Sequence, residues 1–133
     1  MAGDDAGAAE PSPAVSFCVE TLRKRADFLK VARARRQSMP GFTLQARPRE
    51  ADEPDGGLVR IGYTCSKKVG NAVARNRAKR RLREIARVAL PRHGRAGWDY
   101  VLIGRPKVTA ERPFVIMLAD LEAALGRVHL DRR

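Results

Sequence analysis

The residues with the clearest chemical potential are the lysines and arginines of segment 66–87, which reads SKKVGNAVARNRAKRRLREIAR. Nine bases stand here against a single acid, Glu84. Like charges three or four residues apart repel each other on a helix, and a merely solvated face would mix both signs. Arginine binds phosphate through forked pairs of hydrogen bonds. The segment therefore predicts a nucleic-acid surface whose affinity falls with salt as counterions are released.

One long helix is expected to position these charges. No glycine or proline occurs between Gly70 and Pro91, and Asn71 suits the N-cap. At 100° per residue, a narrow apolar stripe is predicted to face a sheet and comprises Ala74, Ala78, Leu82, Ile85 and Ala89. One edge of the stripe carries Arg75, Asn76, Lys79, Arg83 and Arg87, and the other side carries Arg77, Arg80 and Arg81.

The charge of the whole chain agrees with a polyanionic partner. The 133 residues carry 27 bases and 15 acids, a formal net charge of +12. Residues 21–47 hold eight bases and one acid (+7), and residues 60–95 hold twelve bases and one acid (+11). Residues 1–20 hold four acids and no base, and their composition predicts a disordered acidic tail.

Other classes of protein are disfavoured by what the chain lacks. No apolar run approaches a membrane span, and the acidic start is unlike a signal peptide, so we expect a cytoplasmic protein without a membrane partner. The two cysteines, Cys18 and Cys65, match no metal spacing and are interpreted as buried or half-buried thiols.

The remaining elements follow from hydrophobic periodicity. A short basic helix is predicted over 26–36, and alternating strands over 41–47 and 58–65 are expected to form an antiparallel hairpin. The apolar run WDYVLIG predicts an internal strand, and a last helix begins near Pro113. Its core-facing residues are expected to be Phe114, Met117 or Leu118, Leu121 and Leu125. The order α-β-β-α-β-α predicts an α+β fold, a two-layer α/β sandwich with a mixed sheet.

The basic segment also carries a family resemblance. The stretch GYTCSKKVGNAVARNRAKRRLRE resembles the signature of the bacterial ribonuclease P protein subunit, with Ser-Lys-Lys at 66–68, Gly-Asn-Ala at 70–72 and Arg-Asn-Arg at 75–77. Segment LRKRADFLKVARARR is similar to the first helix of that family, and WDYVLIGRP is similar to its next strand. The resemblance runs from about Leu22 to Leu125, so we place the RNA-binding domain at 21–127, after the tail at 1–20 and before a C-terminal tail at 128–133.

The resemblance implies a fold and a function. It implies a left-handed βαβ crossover like that of ribosomal protein S5 domain 2, although general topology rules favour the opposite hand. It further implies a subunit of an endoribonuclease ribonucleoprotein that removes the 5′ leader of precursor tRNA. In that family the RNA subunit and its bound Mg²⁺ perform the hydrolysis, so no catalytic residue is expected in this chain. The resemblance implies that no protein partner is required.

Site residues follow from the same resemblance. Contact with the RNA subunit is expected from Lys67, Lys68, Asn71, Arg77, Arg80 and Arg81. Contact with the leader of precursor tRNA is expected from Phe28, Arg75, Asn76, Lys79 and Arg83. Ala32 and Gln45 stand where the family often has aromatic residues, which weakens the expectation of leader stacking.

Two alternatives remain at this point. A general RNA-binding or ribosomal protein would need only the basic face, but not the Lys-Lys-Val-Gly-Asn and Arg-Asn-Arg motifs together. A protein nuclease would need carboxylates or histidines around a metal. His93 and His129 have no evident partners, and the acids Glu50, Asp52, Glu53 and Asp55 crowd one polar turn, so all are expected to be solvated. GYTCSKK also lacks the second glycine of a P-loop.

Overall fold

The computed structural model describes residues 19–53 and 57–130. The strands are β1 (Val19–Thr21), β2 (Arg35–Met39), β3 (Phe42–Pro48), β4 (Val59–Thr64) and β5 (Trp98–Gly104). The helices are α1 (Arg25–Ala32), α2 (Ala72–His93), α3 (Val108–Glu111) and α4 (Phe114–Val128), with a 3₁₀ turn at Lys67–Val69. Most of the predicted acidic tail, including Cys18, lies outside the described residues.

All five strands form one mixed sheet in the order β1-β4-β5-β3-β2. The β4 and β5 strands are parallel and joined through α2, which gives the βαβ unit whose left-handed crossover the resemblance implies. The β3 strand is antiparallel to both β5 and β2. Helices α2 and α4 cover one face of the sheet, and the short α1 covers part of the other. The α+β sandwich with a mixed sheet is thus confirmed.

The larger core lies between the sheet and α2 with α4. The predicted stripe of α2 faces this core, since Ala78, Leu82, Ile85 and Ala89 are fully buried. From α4, Met117, Leu121 and Leu125 enter the same core, and the sheet contributes alternate side chains of β3, β4 and β5. Burial of these side chains at about 25 cal/mol per Å² of apolar surface fixes α2 against the sheet.

The predicted hairpin between the strands now labelled β3 and β4 is wrong. The β5 strand lies between them, with Leu102 paired to Leu44 on one side and to Tyr63 on the other. Because β5 is the most continuously apolar strand, a central position buries both of its faces and satisfies both of its hydrogen-bonding edges. The connecting loop passes the end of β5, where Arg49 donates to the carbonyl of Leu58 and to Asp99.

The predicted first helix is also too long. It ends at Ala32, and Arg35–Met39 form the edge strand β2 instead. Met39 pairs with Phe42 across the two-residue turn Pro40-Gly41. The Pro-Gly pair is a turn signal that was present in the sequence. Arg35 secures β2 by donating to the carbonyl oxygens of Val128 and Leu130, 2.6 and 3.1 Å away. Tertiary contacts therefore override the helix propensity of these residues.

Several boundaries move by a few residues. The α2 helix continues through Pro91 to His93, because the hydrogen bond that proline removes falls in the last turn. Strand β1 and helix α3 were not predicted. Strand β1 begins at Val19, and Val128, the last residue of α4, is fully buried. The domain limits of 21 and 127 remain a prediction. Phe114 is 38% exposed and does not join the core stripe of α4.

Some polar residues expected in solvent have structural partners. His129 is 8% exposed, and its Nε2 lies 2.7 Å from the Tyr100 hydroxyl. His93 lies at the end of α2, with its Nε2 3.4 Å from Glu122. Glu53 is half-buried and pairs with Arg47, whose hydrogen bond lowers the pKa of Glu53 to about 2. The expectation that these side chains are merely solvated is wrong for His129 and Glu53, whereas His93 is exposed, as expected.

Candidate nucleic-acid interface

The turn before α2 is built to present Lys67 and Lys68. Ser66 Oγ accepts from the Lys68 amide at 3.2 Å, and Asn71 Oδ1 accepts from the Ala74 amide at 3.0 Å. Gly70 has a φ of 141°, which residues other than glycine rarely adopt. Both lysines are exposed. The predicted N-cap role of Asn71 is confirmed, since its side-chain oxygen accepts this bond.

Among the described residues, the lysines and arginines of the turn before α2 and of α2 up to Arg87 have no acidic partner. Within the described ranges, no lysine or arginine from Lys67 to Arg87 forms an ion pair. The exposed members of this set are Lys67, Lys68, Arg77, Arg80, Arg83 and Arg87, together with the neutral Asn76. We call these residues, with the half-buried Arg75 and Lys79, the basic face. The repulsion expected from the sequence is thus left uncompensated within the described fold.

One edge of the basic face follows the end of β4. The Arg83 guanidinium lies 5.1 Å from the centre of the Tyr63 ring, a cation–π contact. Burial raises the pKa of Tyr63 to about 12. Arg75 and Lys79 lie close enough to Cys65 to oppose the rise in pKa that burial gives its thiol. The predicted common arc of Arg75, Lys79 and Arg83 is therefore present.

Arg81 differs from its neighbours on α2. It is half-buried, and its Nη2 donates to the carbonyl oxygen of Arg112, the C-cap residue that follows α3. This bond ties α2 to the turn between α3 and α4. The predicted RNA contact by Arg81 remains a prediction, but the side chain also has a structural role that the sequence did not reveal.

Phe28 lies on the other face of the sheet. Its ring packs over Gly62, where a Cβ atom would come within 2.5 Å of two ring carbons. Because side chains alternate along β4, the Phe28 ring and the Tyr63 ring lie on opposite faces. The structure therefore separates Phe28 from the Arg83 edge of the basic face. Ala32 is exposed and Gln45 is buried, so neither adds an aromatic surface beside Phe28.

Sequence reasoning overlooked a cation on the Phe28 face. Arg105 follows β5 directly, and its Nη2 donates to Thr43 Oγ1 at 3.2 Å. Thr43 lies on the α1 side of β3, since its neighbours Phe42 and Leu44 point into the α2 side. The only available signal was the position of an arginine directly after a buried strand, where loops often carry functional residues.

Neither a metal cluster nor a membrane span is found in the described residues. No group of three or more histidine, cysteine, aspartate or glutamate side chains there could hold a metal ion. No helix among them is both long and apolar enough to cross a bilayer.

The fold and the basic face define a class: a small α+β protein that carries a long, uncompensated basic helix across a mixed sheet. Comparison with known proteins narrows this class. The family model of ribonuclease P matches residues 19–129. This chain belongs to the ribonuclease P protein component family.

Relatives and solved structures agree. The chain is 63% identical to the ribonuclease P protein component of Ruegeria pomeroyi, over 88% of this chain and 95% of that protein. It is 53% identical to the component of Paramagnetospirillum magneticum, over 83% of each chain. The RNase P protein of Thermotoga maritima superposes with a TM-score of 0.65 at 28% identity, over 85% of this chain and 99% of that one. The Staphylococcus aureus protein gives 0.65 at 25%, over 84% and 97%.

Proposed function

We propose that this protein is the protein subunit of a ribonuclease P ribonucleoprotein and assists removal of the 5′ leader from precursor tRNA. The observation that carries the proposal is the basic face, whose cations have no acidic partner in the described fold. Family membership supplies the identity of the polyanion, since the relatives are named as components of ribonuclease P.

The catalytic RNA is assigned to the outer part of the basic face. Lys67, Lys68, Arg77 and Arg80 are exposed and can reach phosphates without moving the core. Arginine and lysine contacts of this kind position an RNA by its backbone and carry little sequence information. Asn71 and Arg81 join this set with part of their hydrogen-bonding capacity already used inside the fold.

The leader of precursor tRNA is assigned to two surfaces, one on each side of β4. Phe28 offers a partly exposed ring on the α1 side of the sheet, with Arg105 on the same side. Arg75, Asn76, Lys79 and Arg83 offer cations and an amide along the β4 edge of α2. A single-stranded leader can use both, because stacking on an aromatic ring tolerates any base and a basic groove follows the backbone.

Mg²⁺ is assigned mainly to the RNA. Magnesium in proteins is usually bound through carboxylates and water, and the described residues gather no carboxylate cluster on the basic face. The residues therefore do not fit a protein-held catalytic metal, and we place none in this chain. The role proposed for the protein is to bind and position both RNAs.

Reconstitution with a bacterial ribonuclease P RNA tests the proposal. We expect leader removal from precursor tRNA when both the RNA and Mg²⁺ are present. The protein alone should show no cleavage, and metal-dependent cleavage with RNA rigorously absent would contradict the subunit role.

A double variant tests the assigned face. Arg75→Ala with Arg77→Ala should weaken binding and flatten the dependence of log affinity on log salt by up to about 1.4 to 1.8, roughly 0.7 to 0.9 for each phosphate contact. Arg127→Ala, an exposed arginine at the end of α4, is the matched control. An unchanged salt slope in the double variant would reject this face. Equal affinity for any structured RNA would instead indicate a general RNA-binding protein.

A further inference from the structure

An open cavity lies where β1 and β4 meet α2. Its volume is about 260 Å³, and Val19, Ile61, Ala86 and Leu90 form its apolar walls. Pockets for drug-sized ligands usually measure about 300 to 1,000 Å³. A smaller flat apolar group, such as a single nucleobase, therefore suits this cavity.

The rim of the cavity has a different chemistry from its walls. Tyr63, Arg83 and Arg87 also line it, and no acidic side chain of the described residues does. Arg83 already lies 5.1 Å from the Tyr63 ring, and both arginines are exposed without an ion-pair partner in the described residues. Their charge excludes a cationic ligand and favours one that joins an apolar body to an anionic group.

We propose that this cavity holds one unpaired nucleotide of a bound RNA. The base lies between the apolar walls and against Tyr63, and its phosphate binds Arg83 and Arg87. This inference rests on the proposed function and adds a second base-binding position to it. The position differs from that of Phe28, because the cavity opens on the α2 side of β4 and the Phe28 ring covers Gly62 on the other side.

Two RNA probes separate base from backbone. The full chain is titrated with an eight-nucleotide oligoadenylate and with an oligomer of the same length that lacks all bases. Thr21 lines the cavity from the exposed edge strand β1, so Thr21→Trp fills it without changing the charge. Ala123→Trp places the same side chain on the exposed side of α4 and is the matched control.

Thr21→Trp should weaken oligoadenylate binding about tenfold, because stacking on protein side chains contributes roughly 1 to 3 kcal/mol per base and tenfold is about 1.4 kcal/mol. Binding of the abasic oligomer should not change, and Ala123→Trp should bind both oligomers like the unmodified protein. Equal binding of oligoadenylate by Thr21→Trp and the unmodified protein would overturn the proposal.

Methyl NMR of the unmodified protein makes the test independent of the folding of a variant. Oligoadenylate should shift the Ile61 methyl signals, and the abasic oligomer should not, while Ile116 on α4 stays unchanged with both. Failure of Ile61 to shift while Ile103, on the Phe28 face, does shift would overturn only the cavity assignment. Failure to bind either oligomer and the ribonuclease P RNA would overturn the proposed function as well.

The chain preceding β1 is the competing occupant of the cavity. Removing residues 2–15 should leave the Ile61 signals of the free protein unchanged. A shift on removal, in the absence of RNA, would assign the cavity to the protein's own N-terminal segment and would overturn the proposal.

Discussion

Two groups of arginines in this protein have the same charge and opposite surroundings. In the first group, Arg49 and Arg60 surround the fully buried Asp99, with Arg49 Nη1 2.5 Å from Oδ1 and Arg60 Nη2 2.7 Å from Oδ2. In the second group, Arg77 and Arg80 of the basic face are exposed and have no ion-pair partner in the described residues. The first group is paired with a carboxylate inside the fold, and of the two groups only the second is left for an external anion.

This difference shows why a count of charges overstates the proposed RNA surface. Residues 21–47 have a net charge of +7. However, Arg47 pairs with Glu53. Arg35 donates to backbone carbonyls, and its guanidinium lies 5.2 Å from the centre of the Trp98 ring. Arginine serves as well in buried ion pairs as in phosphate binding. The partners of each guanidinium, and not its charge, therefore separate structural arginines from those proposed to bind RNA.

Asp99→Asn should give the largest effect, on the buried group. Removal of one partner from a buried ion pair leaves uncompensated charge and costs about 3 to 5 kcal/mol. Urea unfolding should show this loss, while the exposed Glu111→Gln should change the free energy of unfolding by less than about 0.5 kcal/mol. A change of under 1 kcal/mol for Asp99→Asn would break the distinction between the two groups.

Lowering the pH should reduce the stability of the fold through the buried His129. Burial, and then the charges of Arg95 and Arg35, lower the pKa of His129 to about 4 from its usual 6.5. Between these pH values the unfolded chain binds the additional proton, so stability should fall as pH falls from 6.5 to 4, by up to about 3 kcal/mol. Below pH 4 this contribution should be fully lost.

Unfolding of the unmodified protein and of His129→Gln between pH 6.5 and 5 measures this dependence. The variant should be less stable at neutral pH and should have a flatter pH profile in this range. His93→Gln is the control, because His93 belongs to a half-exposed pair with Glu122. This variant should retain most of the dependence of stability on pH. Identical slopes for His129→Gln and the unmodified protein would show that the buried histidine is not the sensor.

Arg81 tests the boundary between the two groups. It lies on the same helix as the basic face, but it donates to the Arg112 carbonyl. Arg81→Ala should lower the free energy of unfolding by about 1 to 2 kcal/mol, since hydrogen bonds to charged groups contribute about 1.5 to 3 kcal/mol and partial solvation reduces this. Arg77→Ala should leave stability nearly unchanged and should reduce the salt slope of RNA binding more than Arg81→Ala does. The reverse ranking would move Arg81 to the RNA-binding group.

Phe28→Ala should give the smallest effect on affinity and the most selective one. If the ring stacks on the leader, binding of precursor tRNA should weaken by about 1 kcal/mol or slightly more, and binding of mature tRNA should not change. Val31→Ala, which removes a fully buried side chain of the same helix, controls for loss of packing. Equal losses for both tRNAs would show that Phe28 serves only to hold α1 on the sheet.

The linear order of residues was enough to find α2, its Asn71 cap and its buried stripe. These features depend on local periodicity and on side-chain to backbone bonds within a few residues, which the sequence contains directly. The motifs around Lys67 and Arg75 were likewise enough for the family. The same reasoning failed for the hairpin, because no local pattern indicates which strands become neighbours in the sheet. It also failed for Arg35, whose backbone acceptors are about 90 residues away in the sequence.

Sequence alone therefore determined that this chain carries a basic helix whose like charges predict an anionic partner. It also determined which family the chain resembles. The tertiary structure decided which cations remain available, because a guanidinium becomes structural only when a distant carboxylate or carbonyl is brought within hydrogen-bonding distance. It also put Phe28 and the Arg83 edge on opposite sides of β4. Side chains alternate between the two faces of a strand, but only the assembled sheet decides which helix covers which face.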